Sequence, residues 1–391
     1  MAGVLALIAG VMRHLVLALI VGVAVLRAAA QEPATITIRK GEATNVAIQS
    51  LGGPEGGLAT RTLQSDLQTS GLFGITSPER ASYKISGTAG GGSLSGTVVD
   101  GRGSVVLQKT YSGDARRAAH QFADDIVGTL TGQRGFASSK IAFVSTRTGK
   151  KEIYTADADG SNIQQITKDG AISVAPSISA DGQKLAYTGY QSGYADIYLI
   201  DLATGARNRI IKFPGTNSGA SFSPDGGRIA CTVSRDGNPE LYTLSAGGGG
   251  AHRLTRTRGV ESSPTWSPNG REIIYSSDDR GGPQLYRIPA GGGTGQLVPT
   301  GFAYSTEPNW SPDGKKVAFT ARSGGFSIVV KNLETGATQT VASGEDPAWG
   351  ADSRHLIYSS GSAIMLLDTQ TGKSTPLITG LGKVTEPSWS R

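Results

Sequence analysis

A short turn sequence recurs at a fixed interval through the C-terminal two thirds of this chain, and no other feature constrains the fold as tightly. Its fullest copy is Glu261-Ser262-Ser263-Pro264-Thr265-Trp266-Ser267-Pro268-Asn269-Gly270. Ser221-Phe222-Ser223-Pro224-Asp225-Gly226 precedes it, Thr306-Glu307-Pro308-Asn309-Trp310-Ser311-Pro312-Asp313-Gly314 follows it, and Ile178-Ser179-Ala180-Asp181-Gly182 is a looser copy upstream. The serines Ser179, Ser223, Ser267 and Ser311 lie 44 residues apart at each step. Two weaker copies, Asp346-Pro347-Ala348-Trp349-Gly350-Ala351-Asp352 and Glu386-Pro387-Ser388-Trp389-Ser390, bring the series to six. A repeat of this length is one supersecondary unit that cannot bury its apolar face alone, and four strands in about 40–45 residues make a propeller blade.

The local chemistry of each copy agrees. In Pro-Asp-Gly or Pro-Asn-Gly, proline presets φ at the first corner, Asp or Asn tolerates the next, and glycine takes the left-handed position of a tight hairpin. Strand-forming runs follow, as in Arg228 to Val233, Glu272 to Ser276 and Lys316 to Thr320. A third strand is expected around Tyr198, Tyr242 and Tyr286, with Val330 and Met365 in the matching places of later copies, and a fourth beyond a Thr-Gly or Gly-rich turn. Ile178, Phe222, Trp266, Trp310, Trp349 and Trp389 share one position and read as apolar anchors between blades.

The ends of the array complement one another. The last copy stops at Arg391, just after its first strand, whereas the array opens at Lys140-Ile141-Ala142-Phe143-Val144-Ser145, a second-type strand with no first strand before it. Pairing the two would complete a blade, set Trp389 beside Phe143 and leave no half-blade edge open to aggregation. The fold class expected is therefore mainly β: a six-bladed β-propeller over 137–391, closed by the C-terminal strand, preceded by an α+β domain.

Upstream the texture differs. Residues 1–30 carry only Arg13 and Arg27 as charges, an apolar run from Leu15 to Leu26, and Ala28-Ala29-Ala30 before Gln31, the pattern of a cleaved secretory signal; an uncleaved anchor is the alternative. Removing the two arginines lowers the formal charge from +6 to +4, and no basic cluster stands out, so neither nucleic acid nor a membrane surface is implied. Cys231 is the only cysteine, which excludes an intrachain disulfide and suits a buried apolar position. Over 31–136, strand-like runs occur at 34–38, 46–48, 83–86, 94–99 and 105–108. Ala59, Leu63 and Leu67 mark one helical face, and Ala115, Ala119, Phe122, Ile126 and Leu130 mark another, capped by Ser112 or Asp114 and ended by Gly132.

A signal segment, a small α+β domain, a helix running into Leu130-Thr131-Gly132-Gln133-Arg134-Gly135-Phe136, and six blades with Ser-Pro-Asp-Gly turns together resemble the TolB family, periplasmic components of the Tol-Pal cell-envelope system of Gram-negative bacteria. The resemblance covers essentially the whole chain after residue 30. It implies a non-enzymatic adaptor in the periplasm whose propeller binds the peptidoglycan-associated lipoprotein Pal and whose N-terminus engages TolA, in support of outer-membrane integrity and constriction at division. Phe213-Pro214-Gly215-Thr216-Asn217 resembles the family's Pal-facing loop, with Thr216 where a basic aromatic residue is common. The candidate mouth residues are Thr216, Asn217, Ser262, Ser263, Thr306, Glu307, Glu345, Asp346, Thr385 and Glu386. The candidate N-terminal partner segment, Gln31 to about Thr44, offers Glu32, Thr35, Thr37 and Arg39, although Arg39-Lys40 stands where the family more often has acidic or small residues.

Glu307, Asp346 and Glu386 occupy one equivalent position, just before the blade proline, where the other blades carry Ala175, Gly219 and Ser263. Closing the ring would gather these carboxylates into an acidic arc, suited to a partner's basic side chain or to a cation; alternatively each caps backbone N–H groups at its strand start. Enzyme signatures are missing: there is no Gly-x-Ser-x-Gly, and His14, His120, His252 and His355 show no metal-ligand spacing. His120 and Asp124 read as a solvated surface pair, and Asp157-Ala158-Asp159-Gly160 as a hairpin turn rather than a calcium loop. No cofactor, metal or catalytic residue is expected, and the protein reads as a monomer. The competing reading is a secreted propeller that binds or hydrolyses a peptide or sugar at the acidic mouth.

Overall fold

The computed structural model describes residues 43–391. The expected signal segment and the strand expected at 34–38 lie outside the described residues.

The first described region is an α+β unit of strands β1 (Thr44–Ile48), β2 (Phe73–Ile75), β3 (Tyr83–Gly90), β4 (Ser93–Asp100) and β5 (Val105–Ser112), with helices α1 (Gly56–Thr69) and α2 (Ala115–Thr131). The sheet order is β2-β1-β3-β4-β5. β1 runs parallel to both β2 and β3, as expected of strands joined through a crossover helix. Ala59, Leu63 and Leu67 of α1 and Ala119, Phe122 and Ile126 of α2 share one core with Val46, Ile85, Leu94 and Val98 of the sheet. Gly96 lets β4 meet α2, because a Cβ there would lie 2.5 Å from the Phe122 ring. Of the two expected caps Asp114 is used: its carboxylate accepts from the N–H of Arg116 and Arg117, and Gly132 ends α2 at φ 68°. The strand β2, too short to show a pattern, was not expected.

Six four-stranded sheets follow. Their innermost strands are Val384–Trp389 in blade 1, Ser173–Ile178 in blade 2, Asn217–Phe222 in blade 3, Glu261–Trp266 in blade 4, Ser305–Trp310 in blade 5 and Glu345–Trp349 in blade 6. Blade 1 is completed as expected: the C-terminal strand pairs antiparallel with Lys140–Ser145, Trp389 opposite Ile141, and shares a core cluster with Phe143. The repeated turns close in one way. Ser223 Oγ donates to Asp225 Oδ1 at 2.5 Å and accepts from the N–H of Arg228 at 2.9 Å, while Gly226 takes φ 68°. The same serine-to-acid contact recurs at Ser179 with Asp181 and Ser311 with Asp313. The anchors pack between blades: Trp266 clusters with Ala230 and Leu241 of the preceding blade, and its indole N–H donates to Ser221 O at 3.0 Å. Cys231 is fully buried.

Two expectations need correction. The place matching Tyr286 in blade 5 is held by Val329 rather than Val330. Tyr286 pairs with Tyr275, and Val329 pairs with the equivalent Phe319, because the hairpin between the strands Lys316–Arg322 and Phe326–Asn332 is shorter. His120 is not solvated but 3 % exposed. Its Nδ1 lies 2.7 Å from Asp66 Oδ2 of α1, and its Nε2 lies 4.0 Å from Asp159 of the blade 1 hairpin. Asp124 faces elsewhere, accepting from the N–H of Ala137 at 2.8 Å and of Ser138 at 2.9 Å at the entry to the propeller.

Candidate functional site

Every innermost strand carries a bulge, where two residues stand opposite one of its neighbour and the register shifts. The first residue of each bulge is left-handed: Ala175 at φ 49°, Gly219 at 64°, Ser263 at 52°, Glu307 at 53°, Asp346 at 56° and Glu386 at 54°. Proline follows in five of the six blades, and the bulge suits it, since a ladder hydrogen bond is already missing there. The three expected carboxylates thus stand at equivalent points on neighbouring strands that border the central channel.

They are joined directly. Glu307 Oε2 accepts from the N–H of Asp346 at 3.1 Å and from Thr320 Oγ1 at 2.6 Å. Asp346 Oδ2 accepts from the N–H of Glu386 at 3.1 Å and from Ser359 Oγ at 3.2 Å. Glu386 Oε2 accepts from the N–H of Ala175 at 2.6 Å. Each acid therefore caps a backbone N–H, not of its own strand but of the next blade's, and half the ring is stitched by carboxyl oxygens. Between blades 2 and 3 a hydroxyl serves instead: the N–H of Gly219 donates to Thr188 Oγ1 at 3.2 Å. Burial, and then the charge of Glu307, push the Asp346 carboxyl up to about 7. Burial also raises Glu386, against the opposing N–H of Ala175 and Lys151, whose Nζ lies 3.7 Å from its Oε1. Among the described residues no group of three or more His, Cys, Asp or Glu is arranged to hold a metal ion.

The remaining candidates divide. Thr216 and Glu345 are exposed, and Ser262, Ser263, Thr306 and Thr385 are half-buried beside the bulges. Asn217 is fully buried, its Nδ2 donating to Phe213 O at 2.8 Å and Ala195 O at 3.1 Å, so it shapes the 213–217 loop from within and offers no surface. Glu32, Thr35, Thr37 and Arg39 lie outside the described residues. Sequence reasoning passed over the apolar rim. Ile172 and Val260 directly precede inner strands, Tyr190 and Tyr194 occupy the hairpin beside Ile172, and Phe326 meets Tyr304 ahead of blade 5; the exposed members include Tyr194 at 72 % and Ile172 at 45 %. None of these sits in the repeated motif. Arg391 was also missed: its Nη2 donates to Asn309 Oδ1 at 2.6 Å, two residues along the same strand from Glu307. Burial draws its pKa down to about 10.

The profile described as the TolB beta propeller domain matches residues 127–391. The chain belongs to the TolB beta-propeller family. Among named members, the Tol-Pal system protein TolB of Geobacter metallireducens is 49 % identical over 86 residues, 21 % of this chain and 20 % of that protein. The TolB homolog of Chlorobium luteolum is 45 % identical over 82 residues, 20 % of this chain and 19 % of its own length. These alignments thus span about a fifth of the curated relatives. The crystal structure of TolB from Acinetobacter baumannii superposes with a TM-score of 0.78 at 25 % identity, covering 89 % of this chain and 97 % of that one. The TolB likeness therefore takes in the α+β unit as well as the propeller.

Proposed function

We propose that this chain is a monomeric, non-catalytic, periplasmic component of a Tol-Pal system. A leader over 1–30 directs export, an α+β module over 31–136 precedes the propeller over 137–391, and the propeller mouth captures a Pal-like lipoprotein. The segment from Gln31 to about Thr44 engages TolA, and the linkage supports outer-membrane integrity and envelope constriction at division. One observation carries the reading: Glu307, Asp346 and Glu386 form a hydrogen-bonded acidic half-ring within an apolar rim. A basic side chain of the partner would meet fixed negative charge on one side of the channel and neutral Ala175, Gly219 and Ser263 on the other, which sets its orientation. Apolar rim contacts supply affinity around that charged centre.

The test is calorimetric binding of Pal to the exported protein and to its Glu307→Lys/Glu386→Lys variant at low and high salt. The double reversal is expected to weaken binding at low salt by tenfold or more, that is by about 1.4 kcal/mol, and to flatten the salt dependence. Equal affinity at low salt refutes the reading. Asp346 favours a second one, because a carboxyl raised to about 7 beside another acid could serve a peptide- or sugar-binding or -hydrolysing site. Protection from thermal melting by oligosaccharides or basic peptides in the absence of any lipoprotein would favour that alternative.

A further inference from the structure

Away from the acidic half-ring, blades 3 and 4 bury two carboxylates against each other. Glu240 opens the third strand of blade 3 (Glu240–Ser245) and Glu261 the inner strand of blade 4, and both are 0 % exposed. One oxygen of each is satisfied. Glu240 Oε1 accepts from Arg253 Nη2 at 2.8 Å and the N–H of Thr257 at 2.9 Å; Glu261 Oε1 accepts from Thr257 Oγ1 and Ser277 Oγ, both at 2.7 Å. The other oxygens, Oε2 of Glu240 and Oε2 of Glu261, are buried without a donor.

The surrounding charges do not balance two anions. Arg253 also serves Asp236 at 3.3 Å, and Arg235 lies 3.6 Å from the same Asp236. From the neighbouring hairpin Asp278 and Asp279 add negative charge, and Tyr242 and Tyr275 on the flanking strands remain neutral phenols raised by burial. Arg256 and Arg258 are exposed. A second bare carboxylate in this site would leave its free oxygen without a donor and its charge without a counter-charge, at a cost of several kcal/mol. A single proton removes the deficit: a carboxyl O–H on one acid supplies the donor that the other acid's free oxygen lacks.

We propose that Glu240 and Glu261 form a buried proton-binding pair which, while it holds one proton, clamps the 254–260 loop at the channel mouth, and which releases that loop at Thr257 when the proton is lost. Thr257 is the clamp, since its N–H and its hydroxyl bind the two acids at once. The rest of the loop hangs on contacts that do not change with the proton: Asp279 accepts from the N–H of Arg258 at 3.0 Å and Asp278 from the N–H of Val260 at 2.7 Å. Val260, exposed on the rim, keeps its N–H on Asp278 in either state, so the release is local to Thr257. The Glu261 carboxyl, raised to about 7 by burial and then by Glu240, places the release near neutral pH. The device depends on these two acids and not on what the mouth binds.

Hydrogen exchange of the Thr257 amide at about pH 6 and about pH 8, corrected for intrinsic rates and referred to the Val260 amide on Asp278, reads the clamp directly. Protection in the wild type is expected to fall about tenfold at the higher pH, as one pKa unit of linkage implies, and to be constant in Glu261→Gln. Should that variant not fold, the Thr257 amide shift of the wild type is expected to titrate with a midpoint near 7. A flat shift across the neutral range, or equal wild-type protection at both pH values, overturns the proposal.

Discussion

The backbone N–H of Asp346 donates to Glu307 Oε2 at 3.1 Å, and Asp346 Oδ2 accepts in turn from the N–H of Glu386 at the same distance. Asp346 is thus the middle acid of a chain that crosses three blades, buried and beside the charge of Glu307. Its carboxyl is raised from 3.8 to about 7, so the folded protein binds a proton there that the unfolded chain has released. That contribution is complete below the unfolded value and is lost as pH rises through about 7. Asp346→Asn keeps an oxygen for the N–H of Glu386 and removes the charge. Its stability relative to the wild type is expected to improve on going from about pH 5 to about pH 8, by on the order of 1–2 kcal/mol after allowance for residual solvent. Urea midpoints at the two pH values check this, and a pH-independent gap would count against it.

Closure of the ring makes a second prediction. Trp389 is 4 % exposed, meets Phe136 edge-on at 5.3 Å between ring centres, and donates its indole N–H to Ser139 Oγ at 2.7 Å. It therefore fastens the C-terminal strand both to its blade and to the segment entering the propeller. Trp389→Ala is expected to destabilise by roughly 3–5 kcal/mol, the range for truncating a large buried aromatic. Replacing the exposed Tyr194 with Ala should cost less than about 0.5 kcal/mol. Denaturant unfolding of both variants makes the comparison, and similar losses would contradict a role for Trp389 in closure.

Features of the fold that repeat, or that lie within a few residues of one another, could be read from the sequence. Ser223, Asp225 and Gly226 close their turn locally, so the turn and its period were visible, and the period with the unmatched strand at Lys140 gave the closure. The acidic arc followed because Glu307, Asp346 and Glu386 share one repeat position. What escaped depends on partners distant in sequence. His120 looked like a surface residue because Asp66, 54 residues away, and the blade 1 hairpin come together only in the fold. Asn217 resembled a loop surface residue, yet its amide turns inward onto Phe213 O. The left-handed bulges are a property of sheet register, and the prolines after them were their only trace.

His120 supplies a third prediction. Burial opposes a charge on its ring, but the hydrogen bond and charge of Asp66, with Asp159 beyond, prevail and raise its pKa above 6.5. A histidine raised in the folded state stabilises fully below its unfolded value, and that contribution disappears as pH rises through the folded one. Two-dimensional NMR of the imidazole is expected to show His120 still protonated at pH values where a free imidazole is already neutral. Asp66→Asn should shift its titration downward by one unit or more, about 1.4 kcal/mol in linkage terms. Unchanged titration in that variant would show that Asp66 does not hold the proton.

Ala175 and Gly219 occupy the same bulge position in adjacent blades, left-handed at φ 49° and 64°. A Cβ in that conformation costs roughly 1–2 kcal/mol, whereas glycine adds freedom to the unfolded chain worth somewhat less. A Cβ at Gly219 would find only Thr232 Oγ1, at 4.0 Å, so conformation and not crowding sets the difference there. Exchanging the residues should therefore produce effects of opposite sign: Ala175→Gly stabilises by about 0.5–1 kcal/mol and Gly219→Ala destabilises by a similar amount. The N–H of Ala175 that binds Glu386 is backbone and survives the change, so the acidic half-ring stays joined. Denaturant midpoints of the two variants suffice, and shifts of the same sign would mean that the proline after Ala175, absent after Gly219, governs the bulge more than the side chain does.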